Sequence, residues 1–86
     1  MVSTTILVKN KTGLHARPAS DLVQLSKRFA SSIKLRVGDT EVNPKSIISV
    51  LKAGIGPGTE LALMAEGEDE AEAGKEIAAF IENLTE

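Results

Sequence analysis

Apolar and polar residues alternate from Thr4 to Lys9, with Ile6 and Val8 on one side and Thr5, Leu7 and Lys9 on the other. That two-residue period predicts a first strand. Asn10-Lys11-Thr12-Gly13 supplies turn residues, and the period then changes. From Ala16 to Ala30, Ala19, Leu22, Val23, Leu25 and Phe29 form a helical stripe while Asp21, Gln24, Lys27 and Arg28 face away. Strict alternation returns in Ile33-Lys34-Leu35-Arg36-Val37. Gly38-Asp39 then marks a hairpin, with Thr40 to Asn43 as the returning strand. Pro44 stops that strand, and Ser46 caps a short helix from about Ser46 to Ala53. Glu60 to Glu66 is the last strand, with Leu61, Leu63 and Ala65 inward. A final helix from Glu68 carries Ala73, Ile77, Phe80, Ile81 and Leu84 as its stripe, with Gly74 as an apparent liability of about 1 kcal/mol.

The order is β-α-β-β-α-β-α in a single domain spanning residues 1–86. Half-polar strands predict an α+β open-faced sandwich, one sheet face covered by helices and the other wet. Periodicity does not fix the strand order, and a ferredoxin-like arrangement with an added helix fits the same string. The short second helix is out of proportion: Ile47, Ile48, Val50 and Leu51 cover more than one face, so part of it is either surplus core or an exposed patch for a partner.

Composition narrows the function. A net charge of −2 with no Tyr or Trp argues against a nucleic-acid binder. The absence of Cys, with a single His, leaves no closed metal shell and no thiolate chemistry. Met1-Val2-Ser3-Thr4-Thr5 has no basic segment followed by an apolar run, and no stretch is apolar enough for membrane insertion. A soluble, cytoplasmic protein is expected. Charge is divided unevenly: nine of ten Lys and Arg fall within residues 1–52, against Asp21, Asp39 and Glu41. Such a basic half either steers an acidic protein partner or serves solubility alone.

The candidate chemistry lies in Gly13-Leu14-His15-Ala16-Arg17-Pro18-Ala19-Ser20. Pro18 belongs in a first helical turn, so a helix starts close to His15, at Ala16 or at Pro18. Free N–H groups at Ala16 and Arg17, the helix dipole and the Arg17 guanidinium form an anion cradle beside the imidazole. A lone histidine is often only a cap or a surface residue, and no second polar group completes a nucleophile–base pair. Taken as a set, these residues suit a histidine that accepts and passes on a phosphoryl group.

Two segments, Gly13-Leu14-His15-Ala16-Arg17-Pro18-Ala19 and Asn43-Pro44-Lys45-Ser46-Ile47-Ile48-Ser49-Val50-Leu51, resemble the active-site and regulatory-serine signatures of HPr, the histidine-containing phosphocarrier of the bacterial phosphoenolpyruvate-dependent sugar phosphotransferase system. The resemblance covers nearly the whole chain. It implies a four-stranded antiparallel sheet with three helices on one side, and no cofactor. It also implies that enzyme I phosphorylates His15 at Nδ1 and that the group passes to enzyme IIA domains, with Arg17 and the N–H groups at Ala16 and Arg17 holding phosphate. Ser20, Gln24, Lys27, Ile47, Ile48, Leu51 and Lys52 match the family's docking positions, in what is expected to be a monomer. Ser46 matches the serine that, in some members, an HPr kinase/phosphorylase modifies to recruit a catabolite-control transcription factor. Pro44 departs from the usual residue of the family. A nitrogen-branch carrier and a purely regulatory HPr-like module are the competing readings. Regulatory modules of that kind lack the active-site histidine, which is present here.

Overall fold

A computed structural model describes residues 1–84 and, at Ala16, the backbone alone. Seven elements follow in the predicted order: β1 (Val2–Leu7), α1 (Ala16–Ser26), β2 (Ser32–Val37), β3 (Thr40–Val42), α2 (Ile47–Ala53), β4 (Glu60–Glu66) and α3 (Glu70–Glu82). The strands form one antiparallel sheet in the order β1-β4-β2-β3, which settles what periodicity left open. Three helices cover one face.

Alternation dictates which side chains point into the core. On β4, Leu61, Leu63 and Ala65 are buried, and on β2 Ile33 and Leu35 are. Lys34 and Arg36 stand on the other face in solvent. Leu35 lies opposite Leu63 across the central strand pair, and Leu63 opposite Thr4 of the edge strand. Leu22 of α1 and Ile77 and Ile81 of α3 close the core from the helical side. Burying each such Leu or Ile contributes roughly 1.5–3 kcal/mol.

Some boundaries differ from those the sequence predicts. β1 begins and ends two residues earlier than expected. Val8 stays buried, its N–H donating to the Thr59 carbonyl at 2.9 Å while its own carbonyl accepts from the Gly58 N–H at 2.7 Å. The chain thus continues as strand-like backbone across a gap in the ladder. α1 ends at Ser26 rather than Ala30, because tightening turns take over: the Arg28 N–H donates to Leu25 O and the Phe29 N–H to Ser26 O. α3 begins at Glu70 rather than Glu68, with Asp69 as N-cap. Gly74 faces β1 in tight contact. A Cβ there would stand 3.0 Å from Cγ1 of Val2, so the glycine lets α3 lie close on β1.

The Asp69 side chain makes no capping hydrogen bond to its own helix. Its carboxylate accepts from the Ala30 N–H and the Ser31 N–H, both at 2.9 Å, and from the Ser31 hydroxyl. The hydroxyl, followed by the Ala30 N–H, holds the carboxyl below the usual carboxylate range. Glu70 is lowered in the same sense, first by the Met1 amino group at 2.6 Å and then by the Gly67 N–H. Because the unfolded chain binds these protons more readily, the stability contributed is present above the ordinary carboxylate range and is lost as pH falls through and below it. Denaturant unfolding measured from about pH 7 to pH 3 will show this loss, and Asp69→Asn will flatten the acid limb while lowering stability at neutral pH. An acid limb identical in the variant and the parent would contradict the assignment.

Candidate functional site

His15 is the N-cap of α1. Its backbone is extended, at φ −122° and ψ 163°, and its side chain makes no capping hydrogen bond. The helix begins at Ala16, so Arg17 takes helical geometry despite the proline after it. Pro18 is then the third helical residue, where the missing N–H costs nothing, and it is buried. Its ring leaves Ala16 and Arg17 as the leading backbone donors of the first turn. No acidic residue occupies that turn to neutralise the positive end of the dipole. His15 is half-buried and Arg17 exposed, both at the helix mouth.

The loop before His15 is held by the turn that follows α2. Gly13 adopts φ +65°, and a Cβ there would come within 2.2 Å of the Ile55 carbonyl oxygen and 2.7 Å of Gly56 Cα. Only glycine allows the two backbones to meet so closely. The next amide, Leu14 N–H, donates to that same Ile55 carbonyl at 2.9 Å, and Leu14 and Ile55 are both buried.

The predicted docking residues divide between two helices that pack on each other. Ser20 and Gln24 on α1 and Lys27 at its C-cap are exposed. On α2 only Val50 is buried, whereas Ile47, Ile48 and Leu51 are 38%, 74% and 42% exposed, with Lys52 in solvent beside them. The apolar surplus is therefore a surface feature. Ser46 is the N-cap, its Oγ accepting from the Ser49 N–H at 3.3 Å. Gly54 closes the helix, its N–H donating to Leu51 O.

Supports for this helix were not legible in the sequence. Ser49 Oγ accepts from the Asn43 N–H at 2.9 Å, and the Lys45 N–H donates to Asn43 Oδ1 at 3.0 Å. Lys45 Nζ reaches the carbonyls of Phe29 and Ser31, each at 2.9 Å. The loop between α1 and β2 is thus gripped twice, its carbonyls by Lys45 and its amides by Asp69. Nothing along the chain separates Lys45 from an ordinary solvated lysine. Its carbonyl partners lie 14 and 16 residues away.

A family model described as the PTS HPr component phosphorylation site matches residues 2–83. The chain belongs to the HPr family. Among its relatives is the HPr-like protein Crh of Bacillus subtilis, 43% identical over 82 residues, covering 95% of this chain and 96% of that protein. The phosphocarrier protein HPr of Treponema pallidum is 43% identical over 86 residues, covering 100% and 98%. The crystal structure of HPr from Thermoanaerobacter tengcongensis superposes with a TM-score of 0.92 at 45% identity, covering 95% of this chain and 92% of that one. The four-stranded open sheet with three helices is thus the HPr fold. A crystal structure of Crh from Bacillus subtilis, described as a swapped dimer, matches at a TM-score of 0.77 and 41% identity, covering 100% of this chain and 99% of that one. The monomer expected from the sequence draws no support from such relatives.

The Gly13 contact yields a direct test. Gly13→Ala must relieve a 2.2 Å approach and a positive φ together. The backbone strain alone costs about 1–3 kcal/mol, so a drop of at least that size is expected in chemical denaturation, with the largest amide shift changes at Leu14, His15 and Ile55. An unchanged stability would mean that the two loops are not seated on each other.

Proposed function

We propose that this member of the HPr family is a phosphocarrier, with His15 as the residue that accepts the phosphoryl group and Arg17 as its charge partner. The observation that carries the reading is an imidazole not engaged in capping at the mouth of a helix whose first turn holds no acid. The imidazole Nδ1 attacks the phosphorus of a phosphorylated donor. A new N–P bond forms as the bond to the donor breaks, and the departing donor atom keeps the electron pair. The Ala16 and Arg17 N–H groups and the guanidinium stabilise the charge spread over the equatorial oxygens, so little else is asked of the protein. The same step run toward an acceptor releases the group. The donor and acceptors proposed are enzyme I and enzyme IIA domains of a sugar phosphotransferase system in the cytoplasm. No helix among the described residues is long and apolar enough to cross a membrane.

Docking is assigned to Ser20, Gln24 and Lys27 with Ile47, Ile48, Leu51 and Lys52. A small apolar patch with a basic rim suits an encounter that must be specific and brief. Ser46 is the proposed off-switch. Phosphate on its Oγ would sit favourably at the start of α2 and bring close to two negative charges next to Ile47 and Ile48. That change would oppose acidic partners without unfolding the helix, and it is the modification an HPr kinase/phosphorylase would make before a catabolite-control transcription factor binds.

A second reading, a regulatory HPr-like module without transfer, has its support in the similarity to Crh, described as a catabolite repression HPr. One experiment separates the two. The chain is incubated with phosphoenolpyruvate and a general enzyme I, and the product is tested for an acid-labile, alkali-stable phosphoryl group. The carrier reading expects roughly one such group per chain, absent in His15→Ala. No label on the parent chain, or label that survives in His15→Ala, would leave the regulatory module as the better account.

A further inference from the structure

We propose that Asn10 is a positioning residue for His15, acting through the Gly13–Leu14 peptide. The inference rests on the carrier reading for its functional consequence, but its structural content stands on its own. Asn10 is only 5% exposed, an unusual burial for an amide in a surface turn. Its Nδ2 donates to the Gly13 carbonyl at 2.8 Å and lies 3.4 Å from Thr12 Oγ1. Its backbone carbonyl accepts from the Gly13 N–H at 3.3 Å, which closes the turn from the main-chain side.

The peptide joining Gly13 to Leu14 is thereby fixed at both polar groups. Its carbonyl is bound by Asn10 and its N–H by Ile55. A peptide plane held at both ends cannot rotate, and the next rotatable bonds along the chain are those of Leu14, whose side chain is fully buried. His15 follows directly. Asn10 thus sets the direction in which the chain leaves the loop, and with it the placement of the imidazole relative to the first-turn donors of α1. A misplacement on the scale of 1 Å is enough to cost a transfer reaction heavily.

A purely structural role for Asn10 would lower stability and leave the imidazole where it is. The test therefore compares Asn10→Ala with Ala73→Gly, which weakens the buried face of α3 at a distance from this loop, at matched loss of melting temperature. Two quantities are read: the proton and carbon shifts and order parameter of the His15 ring by NMR, and the single-turnover rate of phosphoryl acceptance. Asn10→Ala is expected to shift and loosen the ring signals and to slow acceptance by about 10-fold or more, whereas Ala73→Gly leaves both at parental values. Asn10→Asp, which keeps the side-chain shape but offers no N–H donor at neutral pH, should move the ring signals in the same direction, and it serves if the alanine variant does not fold. Ring signals in both Asn10 variants equal to those of the Ala73→Gly control would overturn the proposal. A parent chain that accepts no phosphoryl group while the ring signals still respond to Asn10 would remove the carrier reading and keep the positioning role.

Discussion

The structure depends most on one backbone meeting, where Gly13 and Leu14 rest on the carbonyl of Ile55. Leu14 N–H donates to that oxygen at 2.9 Å, and a side chain on Gly13 would collide with it. Two bonds nearby, from Val8 N–H to Thr59 O and from Gly58 N–H to Val8 O, extend the same seam. Through it the loop that delivers His15 and the turn that ends α2 share a single buried base. The imidazole and the exposed apolar helix are consequently displayed by one unit, although 30 residues separate His15 from Ser46.

The opposite end of α2 is tied down by different chemistry. Lys45 Nζ reaches across to the Phe29 and Ser31 carbonyls, while Asp69 takes the Ala30 and Ser31 amides from the other side. These are charge-assisted hydrogen bonds to backbone, stronger than neutral ones and anchored to groups that cannot swing away. Both ends of a seven-residue helix are thus fixed by contacts outside it. A helix of that length is marginal by itself. With its ends held, α2 can leave Ile47, Ile48 and Leu51 in solvent and still keep its shape.

Much of this was legible in the sequence because it rests on local rules. The strand β4 is legible to the residue, since its alternation is strict and glycines bound it. The N-cap at Ser46 is legible from the serine itself, whereas Pro18 places the start of α1 only at Ala16 or Pro18, and the structure puts it at Ala16 with His15 as N-cap. An exposed patch on α2 is one of two readings the sequence allows, because four apolar residues exceed what a short helix can bury on one side. The supports were not legible. Asp69 stands at the start of α3, yet its carboxylate serves a loop 38 and 39 residues away. Gly74 looked costly until the closeness of Val2 showed what it permits. Strand order was beyond periodicity for the same reason, since it is set by which long-range pairs meet.

Amide hydrogen exchange at Leu14 tests the central claim most directly, because that one N–H is the link between the histidine loop and the turn after α2. A link of this kind opens only when the surrounding structure does, so its protection should approach that of core amides such as Leu63 in the central strand β4. Protection of the Leu14 amide close to that of Leu63 is the predicted result. Exchange as fast as in the exposed residue Lys11 would contradict it, and would mean that His15 is carried by a loop free to move independently of α2.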